Sequence, residues 1–215
     1  MESEKLTVFN ERHEKIGEAT RREVHEKGYW HEAFHCWIIA FEGKIPFVYL
    51  QLRSEDKKDY PGLLDIAAAG HMLAGETVEE GVREVEEEIG LRVKLSDLKS
   101  LGVIPYAVKN GALIDRELAH TSVYMSAKPV QNFVLQPEEV AGMVKIPFDA
   151  FAELWSGKRD QVLIEGFEID EYGEQAELKK PAGRESFVPH PAFYYDEVIK
   201  GLQKEIEVAK SAGIA

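Results

Sequence analysis

Hydrophobic and polar positions divide the chain into short stretches of two different periods. Lys5 to Phe9 reads as a strand and Asn10 to Arg12 as a turn. Thr20 and Glu23 then form a T-x-x-E capping box, which opens a short helix that Gly28 stops. Trp30 to Phe41 and Ile45 to Leu52 are rich in aromatic and β-branched residues on either side of the polar Glu42-Gly43-Lys44, so two paired strands are predicted. Pro46 puts the start of the second at an edge or bulge. The stretch SEDKKDYPG from Ser54 to Gly62 is a polar loop ending in a Pro-Gly turn, and Leu63 to Ala69 follows as a buried strand. Leu91, Val93 and Leu95 alternate with Arg92 and Lys94 as a half-exposed strand. Leu101 to Val108 and Ala112 to Met125 make a hairpin closed by Asn110-Gly111. Asp149 is placed to cap a helix running through Trp155, and residues 158 to 188 hold a charged hairpin around Tyr172-Gly173. Val198, Leu202, Ile206 and Ala209 form the apolar stripe of a last helix, from Pro191 to about Lys210, with His190 read as its cap.

The pattern is most informative between Gly70 and Leu91, where the chain reads GHMLAGETVEEGVREVEEEIGL. At 100° per residue, Val82, Val85 and Ile89 fall on one narrow arc, and Glu80, Glu84, Glu87 and Glu88 gather opposite. One continuous helix from Thr77 to Ile89 is predicted, capped by the Thr77/Glu80 box and stopped at Gly90. Like-charge pairs at three- and four-residue spacing cost an isolated helix roughly 0.2–0.5 kcal/mol each. Carboxylates on a rigid element suit a hard divalent cation such as Mg²⁺, while the plainer reading is a solvated acidic face.

The order of residues decides between these readings. Gly70, then Glu76, then Arg83-Glu84-Val85-Glu86-Glu87-Glu88-Ile89-Gly90-Leu91 closely resembles the Nudix box, whose second half is R-E-apolar-x-E-E-x-G-apolar. The stretch from Glu76 to Arg83 is one residue shorter than the family usually has, which tightens the turn entering the helix. The resemblance implies an α/β/α sandwich around a mixed sheet, with Glu84, Glu87 and Glu88 binding the metal. The expected organisation is one domain over residues 1–215, with a core at about 30–157. An N-terminal hairpin and helix precede the core, and a C-terminal hairpin and helix follow it over about 158–212.

A narrower likeness covers WHEAFHCW, the loop with Arg53, Lys57, Lys58 and Tyr60-Pro61-Gly62, and Gly70-His71. Together these look like type I isopentenyl-diphosphate isomerases, which are built on the Nudix fold. That likeness implies diphosphate binding by Arg53 and by Lys57 or Lys58, and metal binding by His71. Asp115-Arg116-Glu117 resembles the isomerases' E-x-E, so Asp115 and Glu117 join the implied metal set; two apart on a strand, they share a face. The isomerases also need a cysteine just before Gly-His, and this chain has Ala69 there. Isomerase activity is therefore not expected.

His31 to His35 spells HEAFH, the H-E-x-x-H of zinc metalloproteases. That chemistry needs a helix. On the strand predicted here, positions four apart lie about 13 Å from each other, too far for one zinc.

Composition narrows the partners. A net charge of −13 over 215 residues disfavours a nucleic-acid backbone or an anionic membrane. A hydrophobic content of 44% suffices for a sizeable core. Cys36 is the sole cysteine, which excludes an intrachain disulfide, and the opening MESEKLTVFN is neither signal peptide nor membrane span, so a cytoplasmic location is expected. The expected partner is a small-molecule diphosphate, nucleoside-linked or prenyl-like, with a homodimer left open.

The expected reaction is attack of water on phosphorus, with Mg²⁺ or Mn²⁺ as cofactor and Glu87, Glu88 and Glu117 as catalytic residues. Glu117 is the first candidate for the general base and Glu88 the second. A catalytically silent diphosphate-binding module on the same fold is the other reading, but every ligand-type carboxylate is present.

Overall fold

The computed structural model describes residues 3–111 and 113–213. Strands β1 (Lys5–Phe9) and β2 (Lys15–Thr20) form the N-terminal hairpin, and α1 (Arg21–Lys27) follows with the Thr20/Glu23 capping box complete. β3 (Trp30–Glu42) and β4 (Ile45–Arg53) pair antiparallel as expected. Pro46 faces Phe41 and lies one residue outside the pairing of β4 with its other neighbour, so its missing N–H breaks no ladder there.

The buried strand expected from Leu63 to Ala69 is split. β5 (Leu64–Ile66) pairs with β4, the chain bends at Ala67, and β6 (Ala68–His71) pairs with β3. The change of partner turns the end of β6 toward the acidic helix.

That helix is also split, which corrects the single helix expected from Thr77 to Ile89. α2 (Val78–Gly81) and α3 (Arg83–Ile89) meet at Val82, where the Val85 N–H reaches back only three residues to the Val82 carbonyl at 3.1 Å. Both caps stand as expected: Thr77 and Glu80 bond reciprocally, and Gly90 takes φ 64°. Val85 and Ile89 are fully buried. Each contributes roughly 1.5–3 kcal/mol, which outweighs the repulsion on the acidic face.

Leu91 to Leu95 is not a strand. Its apolar side chains pack on the core beneath α3, but the backbone has no ladder partner and enters a 3₁₀ turn, where the Lys94 N–H bonds Asp97 at 2.9 Å. Alternation reported the burial and not the pairing. β7 (Leu98–Asn110) and β8 (Leu113–Ser126) form the long hairpin; Ala112, where its second strand was expected to begin, lies outside the described residues.

β9 (Val140–Pro147) leads into α4 (Phe148–Ser156). Pro147 precedes the helix with no side-chain cap, so Asp149 sits inside the first turn and does not cap it. β10 (Gln161–Ile169) and β11 (Gln175–Gly183) are the charged hairpin, and α5 (Ala192–Ser211) closes the chain with its expected stripe buried. α5 has no side-chain cap either, so His190 is not one.

Among the described residues, eleven strands join one mixed sheet centred on β3. One edge of β3 meets β1, β6 and β4 in turn, all antiparallel, and the other runs parallel to β8. Its side chains alternate between two cores: Phe34, Cys36, Ile38 and Ala40 pack with Val82, Val85 and Ile89 of the acidic-helix layer, whereas Trp37 and Ile39 pack with α4 and α5. The α/β/α layering follows. Among the described residues no helix is long and apolar enough to cross a membrane.

Candidate active site

Three consecutive residues of β6 carry the geometry. The Ala69 N–H donates to Glu88 Oε2 at 2.9 Å, Gly70 lies against the Glu84 carboxylate, and His71 turns into a cluster of imidazoles. They line a cavity of about 280 Å³ that also takes in Arg53, Lys57 and Glu117.

On the acidic wall Arg83 is the hub. Its Nε donates to Glu76 Oε1 at 2.7 Å, and its Nη1 contacts Glu84 Oε1 at 2.8 Å and Glu87 Oε2 at 2.7 Å. Glu76 is thus paired with Arg83 across the shortened spacing. Glu88 is not on the solvated face. It is buried, receiving the Ala69 N–H and the Gln51 amide at 3.3 Å. Burial pushes Glu84 up to about 7, with Glu87 and Glu76 adding to the rise against Arg83. Burial and the charge of Glu84 push Glu88 up to about 8. Carboxylates held so close in a desolvated place are under electrostatic load that a divalent cation relieves, so these residues fit the Mg²⁺ or Mn²⁺ the family implies.

The second wall was only partly legible. His25 from α1, His31 from β3, His71 from β6 and Asp115 from β8 offer ligand atoms that all lie within 4.8 Å of one another. His31 Nε2 is 3.5 Å and His25 Nε2 3.7 Å from Asp115 Oδ1. These atoms and His71 Nε2 are buried, with no hydrogen-bond partner among the described residues. The His31 Nδ1 lies 3.2 Å from the Tyr29 carbonyl; donating there leaves the Nε2 lone pair facing the cluster. Burial, then His31, lowers His25 to about 4; burial lowers His31 and His71 as well, so all three imidazoles are neutral and ligand-ready at pH 7. Burial and the charge of Glu117 raise Asp115 well above the usual carboxylate range. Three imidazoles and one carboxylate suit a borderline metal such as Zn²⁺, Mn²⁺ or Fe²⁺.

Glu117 takes different partners. Its Oε2 accepts from the Tyr106 hydroxyl and from His35 Nε2 at 3.1 Å, and His35 Nδ1 meets the Tyr194 hydroxyl at 2.7 Å. Burial opposes ionisation of Glu117, but the hydrogen bond from His35 outweighs it and holds its pKa far below the usual range. HEAFH is thus divided: it lies on a strand, with His31 in the metal-type cluster and His35 supporting Glu117. Lys57 pairs with Glu139 on the cavity wall, and Arg53 is bound to Asp65 at 2.9 Å. Lys58 is not among the residues lining the cavity. His25, His31, His35, Tyr106 and His190 were missed as site residues. The pairing of Ala33 with His71 and of His31 with Glu117 brings several of them together, and that register is not readable from one strand at a time.

A family profile described as NUDIX domain matches residues 29–165. An uncharacterised Nudix hydrolase of Clostridium acetobutylicum is 40% identical over 205 residues, covering 95% of this chain and 100% of that protein. An isopentenyl-diphosphate Delta-isomerase of Photorhabdus laumondii is 29% identical over 122 residues, 56% of this chain and 66% of that protein. Among solved structures, DR0079 from Deinococcus radiodurans has a similar fold, with a TM-score of 0.50 at 22% identity over 72% of this chain and 90% of that one.

Proposed function

Because this chain belongs to the Nudix hydrolase family, we propose that it cleaves a diphosphate linkage in a small molecule, with Mg²⁺ or Mn²⁺ held by Glu84, Glu87 and Glu88. The observation that most supports this reading is the gathering of Glu76, Glu84 and Glu87 around Arg83, with Glu88 behind them, on the wall of a cavity that also holds Lys57. A bound divalent cation supplies phosphate charge neutralisation and a more acidic water.

The chain's own residues supply the rest. Lys57, released from Glu139, contacts the distal phosphate, and Arg53 adds positive charge behind it. Glu117, kept ionised by His35 and Tyr106, is the first candidate to take the water's proton, and Glu88 the second. His25, His31, His71 and Asp115 offer a second cation site of different donor chemistry.

The isomerase reading is disfavoured by the only thiol. Cys36 is fully buried in the core beneath the acidic helix, burial raises its pKa to about 12, and it does not line the cavity. A panel of nucleoside-linked, sugar-linked and prenyl diphosphates with Mg²⁺ or Mn²⁺, scored for phosphate-bearing products, tests the hydrolase. Isopentenyl diphosphate in deuterated buffer, followed by NMR, tests the alternative. Metal-dependent deuterium uptake without phosphate release would overturn the hydrolase reading.

A further inference from the structure

Arg53 stands where β4 gives way to the loop of residues 54–62, and all three of its guanidinium nitrogens are spent on the protein. Nε donates to the Tyr60 carbonyl at 3.1 Å, Nη2 to the Asp59 carbonyl at 2.7 Å and Nη1 to Asp65 Oδ2 at 2.9 Å. The side chain therefore staples the far end of the loop to the sheet. Tyr60 needs such a hold, since its φ of 54° is a left-handed conformation that persists only when its surroundings impose it. Lys57, the cation of this loop that lines the cavity, lies inside the stapled segment.

Asp65 is gripped from both sides. Its Oδ1 accepts from the Ile66 N–H at 2.8 Å and from His190 Nε2 at 3.1 Å, opposite the Arg53 bond. Both side chains are nearly closed to solvent, at 6% for Asp65 and 8% for His190. Burial alone would raise the Asp65 pKa, but the bond from His190 and the charges of His190 and Arg53 outweigh it and hold it at about 2. A carboxylate bonded through both oxygens cannot turn, so its Oδ2 stays aimed at Arg53.

His190 arrives from outside the segment that matches the NUDIX profile. Its backbone is fixed by its neighbours: the Val188 N–H donates to the Leu64 carbonyl at 2.9 Å, and the Tyr195 hydroxyl of α5 to the Val188 carbonyl at 2.8 Å. The imidazole stands edge-on to Tyr106 with ring centres 5.4 Å apart.

We propose that His190 is a positioning residue: through Asp65 it fixes Arg53, and through Arg53 the loop that presents Lys57, so the C-terminal segment sets the affinity of the cavity for a diphosphate. The affinity part rests on the reading of Lys57 given above. The loop part stands independently of any substrate.

The test uses the full chain and two readouts. His190→Phe keeps an aromatic ring and removes the donor, whereas His190→Gln keeps an N–H to offer Asp65. Without ligand, His190→Phe should be cut by trypsin at Lys57-Lys58 on the order of tenfold faster than wild type, since a hydrogen bond to a charged group is lost. His190→Gln should stay within about twofold of wild type. Binding of methylenediphosphonate with Mn²⁺, measured by calorimetry, should weaken in the same order. Asp65→Asn, which keeps the shape and removes the charge, should open the loop as His190→Phe does and serves if that variant does not fold. Equal cleavage of wild type and His190→Phe, or of His190→Gln and His190→Phe, would overturn the relay. If methylenediphosphonate fails to bind wild type, the diphosphate reading of Lys57 falls while the cleavage rates still decide the relay.

Discussion

A β-carbon built on Gly70 would lie 2.3 Å from Cδ of Glu84, so the bare backbone of β6 is what lets that carboxylate reach the cavity. The obstacle would meet the far end of a flexible side chain and not the backbone, so cost and consequence separate. Gly70→Ala should leave the melting temperature within about 2–4 °C of wild type, a change of about 1 kcal/mol. It should lower kcat/KM about a hundredfold, because displacing a site group by about 1 Å costs that much. Melting and steady-state kinetics on the same preparation check both halves.

The imidazole cluster should bind a transition metal independently of the acidic helix. Calorimetric titration of the metal-free protein with Zn²⁺ or Co²⁺ should show a site that His71→Ala or Asp115→Asn weakens by at least about a hundredfold, the scale on which a ligand loss is felt. Glu84→Gln combined with Glu87→Gln should leave it in place. Equal binding by wild type and His71→Ala would remove the cluster from the account.

Stability of the metal-free protein should fall as pH rises from 6.5 to 8, because there the two buried carboxylates outweigh the one imidazole that pulls the other way. His25 falls from 6.5 to about 4 on folding, so the unfolded chain binds more protons between those values and stability drops as pH falls through that window. Glu84 and Glu88 rise from 4.5 to about 7 and about 8, so the folded chain binds more protons there and stability drops as pH rises from 4.5 toward 8. Above pH 6.5 the His25 effect fades as the unfolded imidazole loses its proton, and the carboxylate effect dominates. Saturating Mn²⁺ should abolish that decline and raise the melting temperature by roughly 5–10 °C at a hundredfold excess over its dissociation constant. Melting curves from pH 4.5 to 8, with and without Mn²⁺, measure it.

Local rules were legible wherever a few neighbouring residues decide the outcome. Thr77 with Glu80, Thr20 with Glu23 and the Gly90 stop needed only spacing, and each stands in the structure. The Arg83 to Gly90 string placed the acidic wall for the same reason. The break at Val82 was not legible, since the capping box at Thr77 and the glycine stop at Gly90 mark only the two ends of the run. Leu91 to Leu95 shows the limit of periodicity: alternation reports which side is buried and cannot supply a partner strand. The histidines show the limit of motifs. HEAFH on a strand rightly separates His31 from His35, but only the packing of α1 across β8 brings His25 to Asp115. Pro191 after His190 suggests a cap, whereas the chain between β11 and α5 carries His190 back to Asp65.

Whether Glu87 acts in metal-dependent hydrolysis of a diphosphate is decided by where the oxygen of water ends up and by what the loss of one carboxylate does to turnover. The diphosphate turned over fastest in the panel is incubated in ¹⁸O-water with Mg²⁺, and wild type is compared with Glu87→Gln at matched melting temperature. Glu87 is half exposed, with its side chain at 52%, so the substitution leaves the fold alone. Wild type should place ¹⁸O on a phosphate product and show no turnover without divalent cation, and the variant should have a kcat about 10²–10⁴ lower. Wild-type turnover in Glu87→Gln, or undiminished turnover in the presence of excess chelator, would contradict a role for Glu87 in metal-dependent hydrolysis.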